Sequence, residues 1–169
     1  MGVAMKLNVS GVMKNENTSL DFDYSFAFDP ACVTNERQLS FSKVAVVGSI
    51  VNKAQIVTLS FDAKVEVDAP CDRCLEPSRE TVAFHGAFYL VDEIHDQDNE
   101  YLLLVEGDEL DIDEQVLSCL VLELPSKHLC KADCKGLCAK CGKNLNEGDC
   151  GCPRHELDPR LAKIRELLQ

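Results

Sequence analysis

Eight of the ten cysteines in this 169-residue chain fall in short-spaced pairs, and that spacing constrains the fold more than any other feature. Cys71 and Cys74 lie in CDRCLEP, and six more occupy CKADCKGLCAKCGKNLNEGDCGC, residues 130–152. Written as spacings, these are C-x2-C, then C-x3-C-x3-C-x2-C-x8-C-x-C. Two thiolates a few residues apart reach one face of an ion through a tight turn, and four of them satisfy a tetrahedral metal. Eight cysteines therefore suit two structural zinc ions, Zn2+, and four sulfurs around each leave no position for a reacting water.

Disulfides are the competing use of cysteine, and they belong to oxidising compartments. The opening MGVAMKLNVSGVMKN has no basic start, apolar run and small-residue cleavage site, so a cytoplasmic protein with reduced thiols is expected. A thioredoxin-like redox pair is disfavoured, because neither Cys71 nor Cys138 opens a helix after a buried strand. Cys32 and Cys119 stand alone, and both read as small core residues. No apolar run approaches the ~20 residues that span a bilayer. Lys6 stands where a myristoylation signal needs Ser or Thr, so no membrane partner is expected.

Charge divides the chain. Of the net −12, residues 1–124 carry 8 basic and 23 acidic side chains, a balance of −15, whereas residues 125–169 carry 9 basic and 6 acidic, a balance of +3. Lys127, Lys131, Lys135, Lys140 and Lys143 interleave with the tail cysteines. They form a basic face for phosphate, with Lys131, Lys135, Lys140 and Lys143 as the nucleic-acid contacts, or the offset to zinc held by four thiolates, and the two readings do not exclude each other.

The first part reads as a sheet. Leu20, Phe22, Tyr24, Phe26 and Phe28 alternate with mostly polar residues, and so do Val57, Leu59, Phe61, Ala63, Val65 and Val67. Val82, Phe84, Gly86, Phe88 and Leu90 form a third alternating face, and KVAVVGSIV at 43–51 reads as a more buried strand. A β-meander over about 43–91 follows, with an outer strand at 101–105 and an acidic loop at 92–100. Residues 111–124 read as a helix with an acidic first turn, an apolar face of Val116, Leu117, Leu120, Val121 and Leu124, and Pro125 as its stop. A second amphipathic helix is expected at the end, with Asp158 as N-cap, Pro159 at the first helical position, and Leu161, Ile164, Leu167 and Leu168 as its apolar side. The expected fold class is α+β: an antiparallel β-meander with covering helix over 1–124, then a cysteine-rich zinc-binding tail over 125–169.

Cys71 and Cys74 then sit at a hairpin tip bounded by Pro70 and Pro77, where two thiolates need partners from elsewhere. Cys138, Cys141, Cys150 and Cys152 can close on one ion, because the eight-residue spacer returns the chain and Gly142 and Gly148 supply turns. Cys130 and Cys134 remain to pair with Cys71 and Cys74 in a long-range site. Sharing of Cys134 with the tail set is an open alternative, and His128 and His155 are spare ligands read as surface residues. The chain has no Walker A loop, dinucleotide fingerprint, H-E-x-x-H or G-x-S-x-G, so no enzyme and no small-molecule substrate is expected.

CDRCLEP, the acidic-start helix ending in LP, GLCAKCGKNLNEGDCGC and the closing DPRLAKIRELL together resemble the YceD family, from about residue 40 onward. That family is described as large ribosomal RNA subunit accumulation proteins. The resemblance implies a bacterial ribosome-biogenesis factor that supports synthesis, processing or stability of 23S ribosomal RNA. It covers all eight paired cysteines and carries over no catalytic residue. The partner is then ribosomal RNA or a basic ribosome-assembly protein. The lysine-rich tail favours RNA, whereas the acidic bulk and the absence of Phe, Tyr or Trp after Tyr101 favour an adaptor for a basic protein or nuclease.

Overall fold

A computed structural model describes residues 6–32, 39–93, 99–105 and 107–153. The elements are β1 (Lys6–Asn8), α1 (Ser10–Lys14), β2 (Thr18–Phe26), a single turn of tighter helix (Pro30–Cys32), β3 (Ser40–Phe41), β4 (Val44–Lys53), β5 (Ile56–Pro70), β6 (Pro77–Val91), β7 (Leu102–Leu104), β8 (Glu109–Asp111) and α2 (Ile112–Glu123). The main sheet runs β2-β4-β5-β6-β7, with β3 paired to the far end of β5 and β1 paired separately to β8. Every pairing is antiparallel except that of β7, which lies parallel to β6. The sheet is therefore mixed at one edge, where the sequence pattern suggests an antiparallel meander alone.

Alternation decides the layers. Along β5, Val57, Leu59, Phe61, Ala63, Val65, Val67 and Ala69 are all buried, and β6 buries Val82, Phe84 and Leu90. One row of the inner face runs Phe22, Gly48, Phe61, Gly86 across four strands. The Phe61 ring lies over Gly86, and a Cβ on Gly48 would stand 2.6 Å from the Phe22 ring, so bulky and bare positions alternate by necessity. Truncation of Phe61 to Ala is expected to cost about 3–5 kcal/mol.

Helices cover this face. Val9 and Val12, at and within α1, and Ile112, Val116 and Leu120 of α2 join the same core. Asp111 caps α2, its carboxylate accepting from the amides of Asp113 and Glu114. Asp113 is itself buried and accepts a 2.7 Å hydrogen bond from the Tyr24 hydroxyl, which fastens α2 to β2. Two expectations need correction. Val47 in β4 is 53% exposed, because helices cover one face of the sheet only among the described residues. Val121 is also exposed, as is Leu122, since α2 rotates Val116 and Leu120 into the core.

The predicted C-terminal helix, His155 and most of the 92–100 loop lie outside the described residues, as does the side chain of Cys32. Cys119 packs against the core, and its burial, with Glu123 nearby, pushes its thiol up, as suits a structural cysteine.

Candidate metal centres

The last register pair of the β5–β6 hairpin is Pro70↔Pro77, and it closes a six-residue tip, CDRCLE. A single bridge, Leu137↔Asn144, closes a second six-residue tip, CAKCGK. The two tips share their internal hydrogen bonds. Cys71 N donates to Glu76 O at 2.8 Å and Leu75 N to Cys71 O at 2.9 Å; Cys138 N donates to Lys143 O and Gly142 N to Cys138 O, both at 2.8 Å. The chain thus builds one thiolate knuckle twice. The residue after the second cysteine is left-handed in both, with φ 63° at Leu75 and 75° at Gly142. Glycine adopts that conformation freely, whereas a side chain costs roughly 1–2 kcal/mol there.

The hairpin knuckle acquires its second pair from the tail. Cys71 Sγ lies 3.8 Å from Cys134 Sγ, and Cys74 Sγ lies 3.5 Å from Cys130 Sγ. Four thiolates about 2.3 Å from a tetrahedral ion would have edges of about 3.8 Å, so the separations fit such an ion. All four sulfurs stand within 4.8 Å of one another, and Cys71, Cys74 and Cys134 are buried. Backbone contacts hold the tail on both sides of the tip. Asp72 N donates to His128 O at 2.8 Å while His128 N donates to the Asp72 carboxylate, and Leu137 N donates to Arg73 O at 3.0 Å. Arg73 Nη1 donates to Cys134 O at 2.8 Å, and Gly136 lets the tail approach, since a Cβ there would meet Arg73 O at 3.0 Å.

The second group, Cys138, Cys141, Cys150 and Cys152, also has its four sulfurs within 4.8 Å, and it lies nearer solvent. Its spacer contributes Asn146, whose amide joins the two groups. Asn146 Nδ2 donates to Cys134 Sγ at 3.3 Å, and its Oδ1 accepts from Lys135 N at 2.9 Å. A side chain carried by the second group thus supports a sulfur of the first.

Proton affinities follow from these contacts. Backbone N–H groups directed at sulfur stabilise the thiolate. The Cys130 amide, followed by those of Arg73 and Cys74, draws Cys71 down to about 6. The amides of Cys141 and Lys140 do the same for Cys138, also to about 6. The Asn146 amide lowers Cys134. The thiols of Cys130 and Cys152 are pushed up to about 12, foremost by the neighbouring Cys74 and Cys141 sulfurs respectively. Each group therefore gives up its first proton readily and its last reluctantly, which is the situation a divalent cation relieves.

Each group could hold one metal ion, and the Cys134 sulfur lies with the hairpin group, not with the tail set. His128 is 3% exposed, against its reading as a surface residue, with Nδ1 3.7 Å from Glu80 and no part in either group. Lys131, Lys135, Lys140 and Lys143 are all exposed on the loops between cysteines. Asp72, Arg73 and Asn146 were not legible as site residues. The repeated asparagines of N-L-N were the available signal, as turn formers in a sulfur loop. No helix among the described residues is long and apolar enough to cross a membrane.

Residues 59–168 match the family model described as large ribosomal RNA subunit accumulation protein YceD, which takes in both knuckles and both second pairs. The chain belongs to the YceD family. Among its relatives, an uncharacterized protein of Mycobacterium tuberculosis is 34% identical over 102 residues, covering 58% of this YceD chain and 49% of that protein. The large ribosomal RNA subunit accumulation protein YCED homolog 1, chloroplastic, of Arabidopsis thaliana is 39% identical over 67 residues, 38% of this chain and 21% of its own length. The chain spans about half the length, or less, of these curated relatives. No solved structure matches this YceD chain. The family description names ribosomal RNA accumulation and no reaction.

Proposed function

We propose that this protein is a non-enzymatic cytoplasmic factor that supports accumulation of 23S ribosomal RNA during large-subunit assembly, with two structural Zn2+ ions ordering its tail. The family description supports the RNA role. The observation that carries the mechanism is the clamp at the hairpin tip, where Cys130 and Cys134 close on Cys71 and Cys74. Eight thiolates in two sets of four suit zinc and leave no open coordination position. On this reading residues 1–124 are the sheet domain and 125–169 the metal-ordered tail.

Lys131, Lys135, Lys140 and Lys143 are then the contacts to precursor ribosomal RNA, made to phosphate and sensitive to salt. Each lysine that neutralises a phosphate releases about one counterion. A variant with all four changed to Gln tests this. Loss of the protein should lower 23S relative to 16S ribosomal RNA, and the Gln variant should restore the ratio only partly. Its RNA binding should also lose salt dependence by about one unit of slope per contact removed. Full restoration would remove the lysines from the mechanism.

A second reading rests on charge: the −15 balance of residues 1–124 suits an adaptor that holds a basic ribosomal protein or processing nuclease without touching RNA. Under it the Gln variant is nearly silent, and charge reversal at exposed carboxylates such as Asp21 and Asp23 does the damage.

A further inference from the structure

Residues 134–138 stand between two structures and are bonded to both. The hairpin tip holds them on one side, where Leu137 N donates to Arg73 O at 3.0 Å and Arg73 Nη1 to Cys134 O at 2.8 Å. On the other side they pair with residues 143–146, which lie in the loop between Cys141 and Cys150. Leu145 N donates to Gly136 O at 2.9 Å, Cys138 N to Lys143 O at 2.8 Å, and Lys135 N to Asn146 Oδ1 at 2.9 Å. The stretch that delivers Cys134 to the hairpin group is therefore shaped by the loop that the tail group closes.

Asn146 is where that support reaches sulfur. Its backbone N and its Nδ2 both donate to Asn144 Oδ1, at 3.0 and 2.9 Å, so the side chain is held before any ion arrives. The same Nδ2 also donates to Cys134 Sγ at 3.3 Å. Gly136 leaves little slack on the hairpin side, since a Cβ there would stand 3.0 Å from Arg73 O. The dependence runs one way in the geometry. The tail loop is braced from within, by Gly142 N to Cys138 O at 2.8 Å and Lys143 Nζ to Asp149 O at 3.1 Å, whereas Cys134 of the hairpin group leans on Asn146.

We propose that the two groups form one cooperative metal unit: an ion at Cys138, Cys141, Cys150 and Cys152 binds first and, through residues 143–146, raises the affinity of Cys71, Cys74, Cys130 and Cys134 for the second. This rests on the metal reading above and adds the order of filling and the coupling between the sites. Asn146 is the positioning residue that transmits it. Lys131 and Lys135 flank Cys134 on the segment that the second ion clamps, and Lys140 and Lys143 belong to the knuckle that the first ion closes. Free metal therefore sets the whole row of lysines together.

The full chain, stripped of metal under reducing conditions, is titrated with cadmium. Cadmium NMR gives each four-sulfur site its own signal, and competition with a chelator of known affinity gives the strength of each step. Cys74→Ser and Cys141→Ser assign the two signals. The tail signal is expected to fill first, and Cys74→Ser to bind its tail ion as tightly as the first step of the wild type. The hairpin group of Cys141→Ser should bind about tenfold or more weakly than the second step of the wild type, as loss of support behind a ligand does. Asn146→Ala keeps all eight sulfurs, so it separates coupling from loss of the tail fold. It should leave the first step unchanged, weaken the second about tenfold or more, and move the hairpin signal but not the tail signal. A hairpin signal that fills first, full hairpin affinity in Cys141→Ser, or equal losses at both steps in Asn146→Ala each overturns the proposal. Two ions that fill independently defeat the coupling alone, whereas a wild-type chain that takes up no cadmium defeats the metal reading beneath it.

Discussion

The two four-cysteine groups use the same knuckle for different ends. In the tail group all four sulfurs come from residues 138–152, and the site closes within one short loop. In the hairpin group two sulfurs stand on the tip of the longest hairpin of the sheet and two arrive from more than fifty residues later, buried against it. A local site orders the segment that bears it, whereas a long-range site ties two segments together and shortens the loop between them. Burial follows that role. The hairpin group is enclosed because the tail lies across it, with Asp72 and Arg73 bonded to His128 and Leu137 on either side. The tail group lies nearer solvent, with Cys141 exposed and Cys138, Cys150 and Cys152 half-buried.

The largest test of this contrast is Cys74→Ser. Structural zinc is worth roughly 10–16 kcal/mol apparent in small zinc-binding peptides. Loss of the hairpin group should therefore release the tail from the tip, lower the metal content from two ions to one, and abolish amide protection around 128–137. The sheet core, from Phe22 to Leu90, should stay protected. Cys141→Ser should act next most strongly but locally, with protection lost over 138–152 and the hairpin group retained. If the two variants give the same amide-exchange pattern, the division into a staple and a local site is wrong.

Asn146→Ala sharpens the contrast by probing a side chain that crosses between the groups. Groups that support metal ligands from behind typically contribute 10–100-fold in affinity. The hairpin group of this variant should bind zinc or cadmium about tenfold or more weakly, with the tail group changed less, read by competition with a chelator of known affinity. Equal weakening at both sites would mean that Asn146 orders the loop and does not act through Cys134.

The smallest effect serves as a control remote from the metals. Tyr24→Phe removes the donor to buried Asp113 and should cost about 1–3 kcal/mol in sheet stability, with metal content unchanged at two. Burial and the Asp113 hydrogen bond hold the Tyr24 phenol well above its ordinary value. A raised folded-state value means that this contribution is full below about 10 and is lost as pH rises through the folded-state value. Denaturation of the wild type should therefore show an alkaline decline that the Phe variant lacks.

Much of this architecture was legible in advance, for reasons that can be stated residue by residue. The period-two apolar pattern of 57–67 placed a strand without ambiguity because a single register buries all six residues. Pro70 and Pro77 marked the hairpin tip, and an acidic first turn with Pro125 bracketed α2, because helix-end charges and prolines act on the backbone within a few residues. The pairing of Cys138 with Cys141, Cys150 and Cys152 was legible for the same reason, since a short loop leaves few ways to close.

What local pattern could not supply was anything that depends on which surfaces meet. That β7 adds parallel to β6 is a matter of how the chain returns, and no run of three leucines encodes it. Asp113 read as one more solvated acid of a first helical turn, until the packing of α2 on β2 brought Tyr24 to it. His128 read as a surface residue for want of the tail's path across the hairpin. The partners of Cys71 and Cys74 were inferred by elimination, whereas the contacts that hold them, Asp72 to His128 and Asn146 to Cys134, join residues whose spacing in sequence carries no period. Periodicity and turn chemistry are written into neighbouring residues, so they survive in the sequence. Long-range complementarity is written into no single stretch, and it exists only once the sheet has presented its tip to the tail.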